Sequence, residues 1–321
     1  MKKTNILPFA LAALMLPAHN AWATHGSLST GGTGQTGPIN TVSALTVAKG
    51  LWGVDFMAEY TSFDTFSDTR LLEFAANDES IHNVDSMTSY YLGLTYGVTD
   101  NLMFNMKIPY VMRSTIRESE PPDEIHDHGN AEGAGDLDFY FQYRFLGSAR
   151  DDFQAALFAG LKLPTGRTKI KDSTGTVLDA EFQPGSGSWD PRLGIAVTRK
   201  IGRASLDANL LYDLVTEGTQ DTDLGDIFSY NVAFSYPAMR GQVGWDLIIE
   251  ANGSWRQKEE INGEKDPNSG GDIFYISPGT RLILRKNFSA YLTVGLPLWQ
   301  DMNGNQNEVN YRVAGGLILT F

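Results

Sequence analysis

The feature that most constrains this sequence is an alternation of apolar and polar side chains with a period of two, repeated in segments of about ten residues. In the clearest segment, 137–145, Phe139 and Phe141 alternate with Asp138 and Gln142. Successive side chains of a β-strand point to opposite faces of the sheet, so each segment has one apolar and one polar face. Twelve such segments can be marked between residue 51 and the C-terminus. The pattern predicts an all-β fold, a transmembrane antiparallel up-and-down β-barrel of 12 strands with lipid outside and a polar lumen inside.

The lengths of the connections between the segments support this prediction. Long and short connections alternate strictly, with six long and five short ones. The long ones cover residues 62–87, 114–135, 166–188, 217–226, 257–271 and 300–307. Bacterial barrels have short periplasmic turns and long extracellular loops, so both ends of the barrel are predicted to be periplasmic. Ten or fourteen strands remain alternatives. A soluble β-sandwich is disfavoured, because Phe, Tyr and Trp lie at both ends of several apolar faces, as in aromatic girdles.

Both chain ends have features of export to the outer membrane. Lys2 and Lys3 precede an apolar run that is shorter than the about 20 residues of a spanning helix, and a small-x-small pattern follows at 21–23. We expect residues 1–23 to be a cleaved signal peptide. At the other end, Phe321 closes an alternating segment and resembles the C-terminal signal of outer-membrane barrels. This signal predicts the barrel-assembly machinery as a partner.

A Gly-rich segment, 24–49, separates the signal peptide from the predicted barrel, 50–321. The composition favours a flexible linker, and a partial plug that folds into the lumen is the alternative. The letters at 32–37 match the Gly-x-Gly-x-x-Gly dinucleotide pattern. No strand precedes them and no βαβ unit surrounds them, so nucleotide binding is not predicted.

Composition excludes several classes of function. The formal net charge is −13, which disfavours nucleic-acid binding. Cysteine is absent, so the chain has no disulfide, no thiol nucleophile and no Cys-ligated zinc site. The mean hydropathy of −0.22 does not indicate a soluble protein, because alternation keeps the average hydropathy of a transmembrane barrel low.

Charged residues at inward positions are the candidates for contact with a solute, because charge that faces the lumen tunes selectivity. The strongest candidates are Glu59, Lys107, Arg144, Lys162, Arg192 and Glu250. The alternative is that such charges pair with one another and fill the barrel. A barrel of about eight strands is packed solid and one of 16 to 18 is an open pore, so twelve strands predict a narrow or gated path.

Histidine is scarce and lies outside the predicted strands. His126 and His128 are candidate metal ligands in the acidic segment 118–136, but a mobile loop does not fix their geometry. A solvated acidic loop is the favoured interpretation, and calcium or magnesium shared with lipopolysaccharide is the alternative. No metal and no cofactor is predicted. Enzymatic activity is not predicted either, because no histidine on a strand is available as a general base and Gly-x-Ser-x-Gly is absent.

Three short motifs carry a resemblance to a known family. They are Lys-Leu-Pro-Thr-Gly at 162–166, Gln-Pro-Gly-Ser-Gly at 183–187 and Gly-Pro-Ile-Asn-Thr at 37–41. Their candidate mouth-shaping residues are Pro164, Gly166, Pro184, Gly185 and Gly187. With these motifs, most of the predicted mature chain resembles the family named for the MetA pathway of phenol degradation. The resemblance implies an outer-membrane channel associated by name with the uptake of aromatic compounds, and it supplies no substrate-binding residues.

The function predicted from the sequence is passive or gated uptake of small solutes, with hydrophobic or aromatic compounds first, by resemblance, and small polar solutes second. The rival prediction is a non-conducting structural or adhesive barrel that acts through its acidic loops. The expected partners are outer-membrane lipid, lipopolysaccharide and a small-molecule solute.

Overall fold

The structure, a computed structural model, describes residues 37–321. The predicted signal peptide 1–23, His25 and the Gly run at 31–34 lie outside the described residues. No helix between residue 37 and the C-terminus is long and apolar enough to cross a membrane.

The described chain is mostly β-strand. In chain order the strands are β1 (Trp52–Asp64), β2 (His82–Gly97), β3 (Leu102–Glu120), β4 (Glu124–Ala134), β5 (Leu137–Leu146), β6 (Phe153–Leu163), β7 (Asp190–Ile201), β8 (Ala204–Asp213), β9 (Thr222–Asp223), β10 (Ile227–Met239), β11 (Gly244–Arg256), β12 (Glu260–Ile261), β13 (Glu264–Lys265), β14 (Gly271–Arg285), β15 (Phe288–Met302) and β16 (Glu308–Thr320). One α-helix, α1 (Asp68–Ala76), and two 3-10 turns, Ala180–Phe182 and Thr219–Asp221, lie in the connections.

Twelve of these strands form one closed antiparallel barrel. Each pairs with its neighbours in chain order, from β1 to β2, β3, β5, β6, β7, β8, β10, β11, β14, β15 and β16, and β16 pairs back with β1. The seam is extended by Phe321, whose backbone exchanges two hydrogen bonds with Trp52, at 2.8 and 2.9 Å. The predicted strand number and the predicted barrel fold are therefore confirmed.

The wall of the barrel has an apolar outside and a polar inside. Leu193 on the outer face is 64% exposed to the surroundings, whereas Gln142 on the inner face is 0% exposed. The outward residues of the twelve strands are largely Leu, Ile, Val, Phe, Tyr and Trp. An apolar belt of this extent on a soluble protein would be an aggregation surface, and it is accounted for by burial in lipid.

The prediction that residues 114–135 form a loop without strands was wrong. Strand β3 continues through it and pairs with β4, with Glu118 opposite His126, so that the two form a hairpin above the barrel wall. The physical reason is that this hairpin has no lipid-facing side. Most of its residues are polar, and its few apolar ones, such as Ile116 and Ala131, pack against Leu178 and Phe182 of the mouth instead of facing lipid. The apolar alternation that marks a transmembrane strand is therefore missing.

The first connection also contains structure that alternation does not predict. The side chain of Ser67 caps α1 by accepting a hydrogen bond from the backbone N–H of Arg70, at 3.3 Å. The apolar face of the helix packs Leu71 and Phe74 against Ile81. Together with the β3–β4 hairpin, the helix forms part of the extracellular mouth.

Candidate functional site: an occluded lumen

Residues 37–47, called here the lumen segment, lie inside the barrel and are all buried. The segment continues into β1 after the exposed residues 48–50. It is anchored near the short turns: the hydroxyl of Thr46 donates to the backbone carbonyl of Asp100, at 2.7 Å, in the turn between β2 and β3. Short turns mark the periplasmic end of such barrels, so the segment crosses the periplasmic half of the lumen.

The main polar anchor of the lumen segment is the carboxylate of Glu250 on β11. The backbone N–H groups of Asn40 and Thr41 donate to its Oε2, both at 2.9 Å. The backbone N–H of Ile39 donates to its Oε1, and the Thr41 hydroxyl donates to Oε2 at 3.2 Å. Hydrogen bonds to an ionised acceptor are among the stronger ones in proteins. The sequence predicts Glu250 as a candidate for solute contact, and in the structure it binds the lumen segment.

Other wall residues bind further backbone groups of the segment. On the acceptor side, Asn209 Oδ1 accepts from the N–H of Val42 at 2.7 Å, and Thr198 Oγ1 accepts from the N–H of Ala44 at 2.9 Å. On the donor side, the Gln142 amide donates to the carbonyl of Leu45 at 2.8 Å. These contacts come from β5, β7 and β8, so the segment is bound across the lumen rather than along one strand.

The first carbonyl groups of the lumen segment are bound by a guanidinium on β14. Arg281 donates to the carbonyl of Gly37 at 3.1 Å and to the carbonyl of Pro38 at 2.7 Å. Arg281 thus binds the carbonyl groups of residues 37 and 38, and Glu250 binds the N–H groups of residues 39–41 that follow.

Apolar side chains of the segment fill the rest of the cross-section. Ile39 belongs to a buried cluster with Met57, Ile248, Tyr291, Ala314 and Ile318. Val42 and Ala44 belong to a second cluster with Ala156, Phe158, Ala196 and Leu211. Because both clusters combine segment and wall residues, the segment seals this half of the lumen by packing as well as by hydrogen bonds.

A cavity of about 510 Å³ lies at the extracellular mouth. Its apolar lining includes Phe63, Ile81, Val84, Met87 and Phe182, and its polar lining includes His82, Arg113, Glu181 and Glu259. The volume is in the range of cavities that bind small organic molecules. About a third of the lining residues are apolar and the others are polar or charged, which suits a ligand that has an apolar body and polar substituents.

Two of the predicted solute contacts, Lys162 and Arg192, form ion pairs inside the barrel. Arg192 bridges Asp138 and Asp213, and Lys162 pairs with Asp190. These residues line a second cavity of about 110 Å³. The arrangement corresponds to the alternative in which lumen charges pair across the barrel and narrow it.

Of the three other predicted contacts, Lys107 lines the same second cavity as Lys162 and Arg192, whereas Glu59 and Arg144 do not. Glu59 is 3.4 Å from Arg312, and the ammonium of Lys107 lies 5.1 Å from the centre of the Tyr91 ring. Arg144 lies near the periplasmic end of the barrel. Its guanidinium donates hydrogen bonds to the backbone carbonyl of Asp100 and to the side-chain Oδ1 of Asn101, both at 2.8 Å. The six predicted contacts therefore do not form one site.

The predicted mouth motifs come together around Asp136, which is not among the site residues predicted from the sequence. Its Oδ1 accepts from the backbone N–H of Gly166 at 2.8 Å, and its Oδ2 accepts from the backbone N–H of Ser186 at 2.7 Å. A Cβ on Gly166 would lie 2.6 Å from the Cα of Gly185, so the two loops touch through glycine. The sequence signal that was available is an acidic residue at the junction of a polar loop and a strand.

The rest of the two motifs lies at the same junction. The carbonyl of Pro184 lies close to Gly135, and Gly187 has a φ of +76°, which favours glycine. Pro164 directly follows β6. These residues lie in the loops above the wall.

The candidate metal ligands His126 and His128 lie on β4 in the extracellular hairpin, next to Asp172 from the connection between β6 and β7. A hydrogen bond from the Thr174 hydroxyl, together with backbone N–H groups, holds the pKa of Asp172 well below its usual range. Its carboxylate is therefore ionised beside the two rings.

A closed wall of twelve strands, an apolar outer belt and a polar lumen define a bacterial outer-membrane β-barrel, and residues 37–47 cross its lumen. The sequence model of the family described as "Putative MetA-pathway of phenol degradation" matches residues 88–302, about two thirds of the chain. The chain belongs to this family.

The fold agrees with that of one solved outer-membrane channel, and two further structures have lower similarity. The COG4313 outer membrane channel from Pseudomonas putida F1 has a TM-score of 0.58 at 15% identity, over 85% of this chain and 96% of that chain. The NanC porin has a TM-score of 0.47 at 8% identity, over 83% and 98%. A TodX deltaS2S3 mutant, described as a monoaromatic hydrocarbon channel, has a TM-score of 0.45 at 10% identity, over 85% and 91%. A search of curated proteins returns no significant match.

Proposed function

We propose that this protein is a gated outer-membrane channel for small solutes, closed in the described conformation by the lumen segment. The observation that carries the proposal is the position of residues 37–47, which are buried within the barrel and cross its periplasmic half. Transport then requires the segment to leave the lumen or to shift within it.

The way in which the segment is held supports a gate rather than a permanent core. It is bound by side chains that project from the wall, notably Glu250, Arg281 and Gln142, and not by a β-ladder with any strand. Release of the segment would leave the strand pairing of the wall intact. A change in a few hydrogen bonds could therefore open the lumen without unfolding the barrel.

We propose monoaromatic compounds with a polar substituent as the first class of solute. The mouth cavity of about 510 Å³ offers apolar contact from Phe63 and Phe182, and charged partners in Arg113 and Glu181. Membership of a family named for phenol degradation supports the same class. The two cavities lie above the lumen segment, so a solute bound in them would be on the extracellular side of the gate.

The proposal has no enzymatic step. The described histidines contact carboxylates: His82 is 3.3 Å from Asp179, and His126 is 3.3 Å from Asp172. This arrangement differs from the Ser-His pairing of a hydrolase. We also propose that a signal peptide directs export, that β16 is recognised by the barrel-assembly machinery and that the acidic loops face lipopolysaccharide.

The experiment records ion current through the purified protein in planar bilayers and then adds phenol or arabinose at equal concentration. We expect the Glu250→Gln variant to conduct and phenol to reduce its current more than arabinose does. Equal effects of the two solutes would contradict the aromatic preference while leaving the channel in place. No conductance by any variant would contradict the channel and would favour the non-conducting barrel that acts through its loops.

A further inference from the structure

Two extracellular elements that are distant in sequence bring three metal-ligating side chains together. His126 and His128 are two residues apart on β4, so their rings lie on the same face of the hairpin. Asp172 comes from the connection between β6 and β7. One ligand atom of each residue lies within 4.8 Å of the other two.

The separations between these atoms are those of ligands around a metal ion. Asp172 Oδ2 is 3.3 Å from His126 Nε2 and 3.4 Å from His128 Nδ1. Both distances are long for direct hydrogen bonds. In a tetrahedral zinc site with metal–ligand distances of about 2.0–2.2 Å, neighbouring ligand atoms are about 3.3–3.5 Å apart. The two contacts therefore fit two edges of a coordination tetrahedron.

The Asp172 carboxylate is fixed with one oxygen towards the rings. Its Oδ1 accepts hydrogen bonds from the hydroxyl of Thr174 at 2.7 Å and from the backbone N–H groups of Thr174 and Thr176, both at 2.9 Å. The side chain is only 1% exposed. Because Oδ1 is fully engaged in this turn, Oδ2 is the oxygen presented to His126 and His128.

Each ring also has a carboxylate at its other nitrogen. His128 Nε2 is 3.0 Å from Glu118 Oε2, and His126 Nδ1 is 3.6 Å from Glu120 Oε2. Histidines that bind metals usually donate their second ring N–H to such a group, which fixes the tautomer and the orientation of the ring. The cluster thus has the inner ligands of a metal site and, at His128, an outer partner at hydrogen-bond distance.

We propose that His126, His128 and Asp172 bind one divalent ion of the zinc class, with water completing the coordination. Two imidazole nitrogens and one carboxylate oxygen suit zinc and its transition-metal neighbours, whereas calcium and magnesium prefer ligand sets made of oxygen alone. The bound ion joins the β3–β4 hairpin to the connection between β6 and β7, and so cross-links two loops of the mouth. The site does not depend on whether the barrel conducts.

The experiment is calorimetric titration of the tag-free, chelator-treated full-length barrel with ZnCl₂, paired with absorption spectra of the Co²⁺ form. We expect one Zn²⁺ per chain and a visible Co²⁺ spectrum typical of tetrahedral coordination. His128→Gln and Asp172→Asn should each weaken binding at least 10-fold. Asp127→Asn on the same hairpin should leave binding unchanged, as should His25→Gln near the predicted mature N-terminus.

The outcomes separate this site from general binding by acidic loops. Equal affinity of the wild-type protein for Ca²⁺ and Zn²⁺, or binding that survives in both ligand variants, would overturn the proposal. Folding of each variant is checked by the heat-dependent shift of the barrel on denaturing gels. A variant that fails this check is replaced by His126→Gln, for which the same loss of binding is expected.

Discussion

The carboxylate of Glu250 accepts a hydrogen bond from the backbone N–H of Thr41, 2.9 Å away and 209 positions earlier in the chain. This contact ties the lumen segment to strand β11 of the barrel wall. A buried carboxylate that accepts hydrogen bonds from backbone N–H groups holds that backbone in place, and the same hydrogen bonds compensate the carboxylate for its lost hydration. The contact therefore links a side chain of the barrel wall to the segment that crosses the lumen.

The first prediction concerns the strength of this anchor. Glu250→Gln removes the charge and one acceptor oxygen, and hydrogen bonds to charged groups contribute about 1.5–3 kcal/mol each. We expect amide hydrogen exchange at residues 39–41 to accelerate by about 10- to 100-fold, since each 1.4 kcal/mol is a factor of ten. Glu59→Gln is the matched control, because Glu59 pairs with Arg312 on another part of the wall. Unchanged exchange in Glu250→Gln would show that apolar packing alone holds the segment.

The second prediction concerns the ion-pair network. Arg192→Ala leaves Asp138 and Asp213 without their shared partner, and breaking a buried pair from one side costs about 3–5 kcal/mol. We expect the midpoint of urea unfolding, followed by tryptophan fluorescence in detergent, to fall markedly. The triple variant, which also carries Asp138→Asn and Asp213→Asn, should recover much of the loss. A stable Arg192→Ala protein would mean that water or another cation replaces the guanidinium.

The third prediction concerns the contact between the mouth loops. Gly166→Ala places a methyl group against the Gly185 backbone, where overpacking costs about 1–3 kcal/mol. We expect faster cleavage of the connection between β6 and β7 by trypsin. Gly241→Ala in a periplasmic turn is the control, because a Cβ there has room. Equal cleavage of both variants would contradict the close approach of the loops.

The fourth prediction is a pH dependence at the mouth. Burial and the neighbouring negative charge of Glu181 raise the pKa of Glu259 well above its usual range. The charge of Asp266 also raises this pKa, and the charge of Arg256 lowers it. A carboxyl group with a raised pKa in the folded state binds protons more tightly there. Its contribution to stability is therefore complete below the ordinary pKa of glutamate and is lost as the pH rises through the raised value.

We accordingly expect the thermal unfolding midpoint to decrease between pH 5 and pH 9. Glu259→Gln should flatten this decrease, whereas Glu260→Gln, which changes the neighbouring and less buried residue, should not. An identical pH profile for Glu259→Gln and the wild type would assign the dependence to other groups.

The barrel could be predicted from the sequence because lipid imposes one simple rule on every spanning strand. Residues such as Leu193 and Phe141 must be apolar, and their neighbours need not be. The rule does not apply to residues outside the lipid. The β3–β4 hairpin and α1 lie above the membrane, and their polar faces have no alternation to detect.

The site was less predictable, because its geometry depends on pairing between distant parts of the chain. Alternation correctly placed Glu250 and Arg192 on the inner face, but it could not show which partner each one meets. The Gly-rich composition favoured a flexible linker over a plug, since residues 37–47 have no pattern of their own. Their order comes from the wall around them. Asp172 was missed for the same reason, because only the fold brings it to His126.

The central claim is that residues 37–47 close the lumen. The most direct measurement is the single-channel conductance, in planar bilayers, of the full mature chain and of a variant that lacks these residues, after both have been shown to be folded barrels. The account predicts that the full chain is closed or opens only briefly, and that the deletion variant conducts steadily. Equal conductance of the two proteins, whether high or absent, would contradict it.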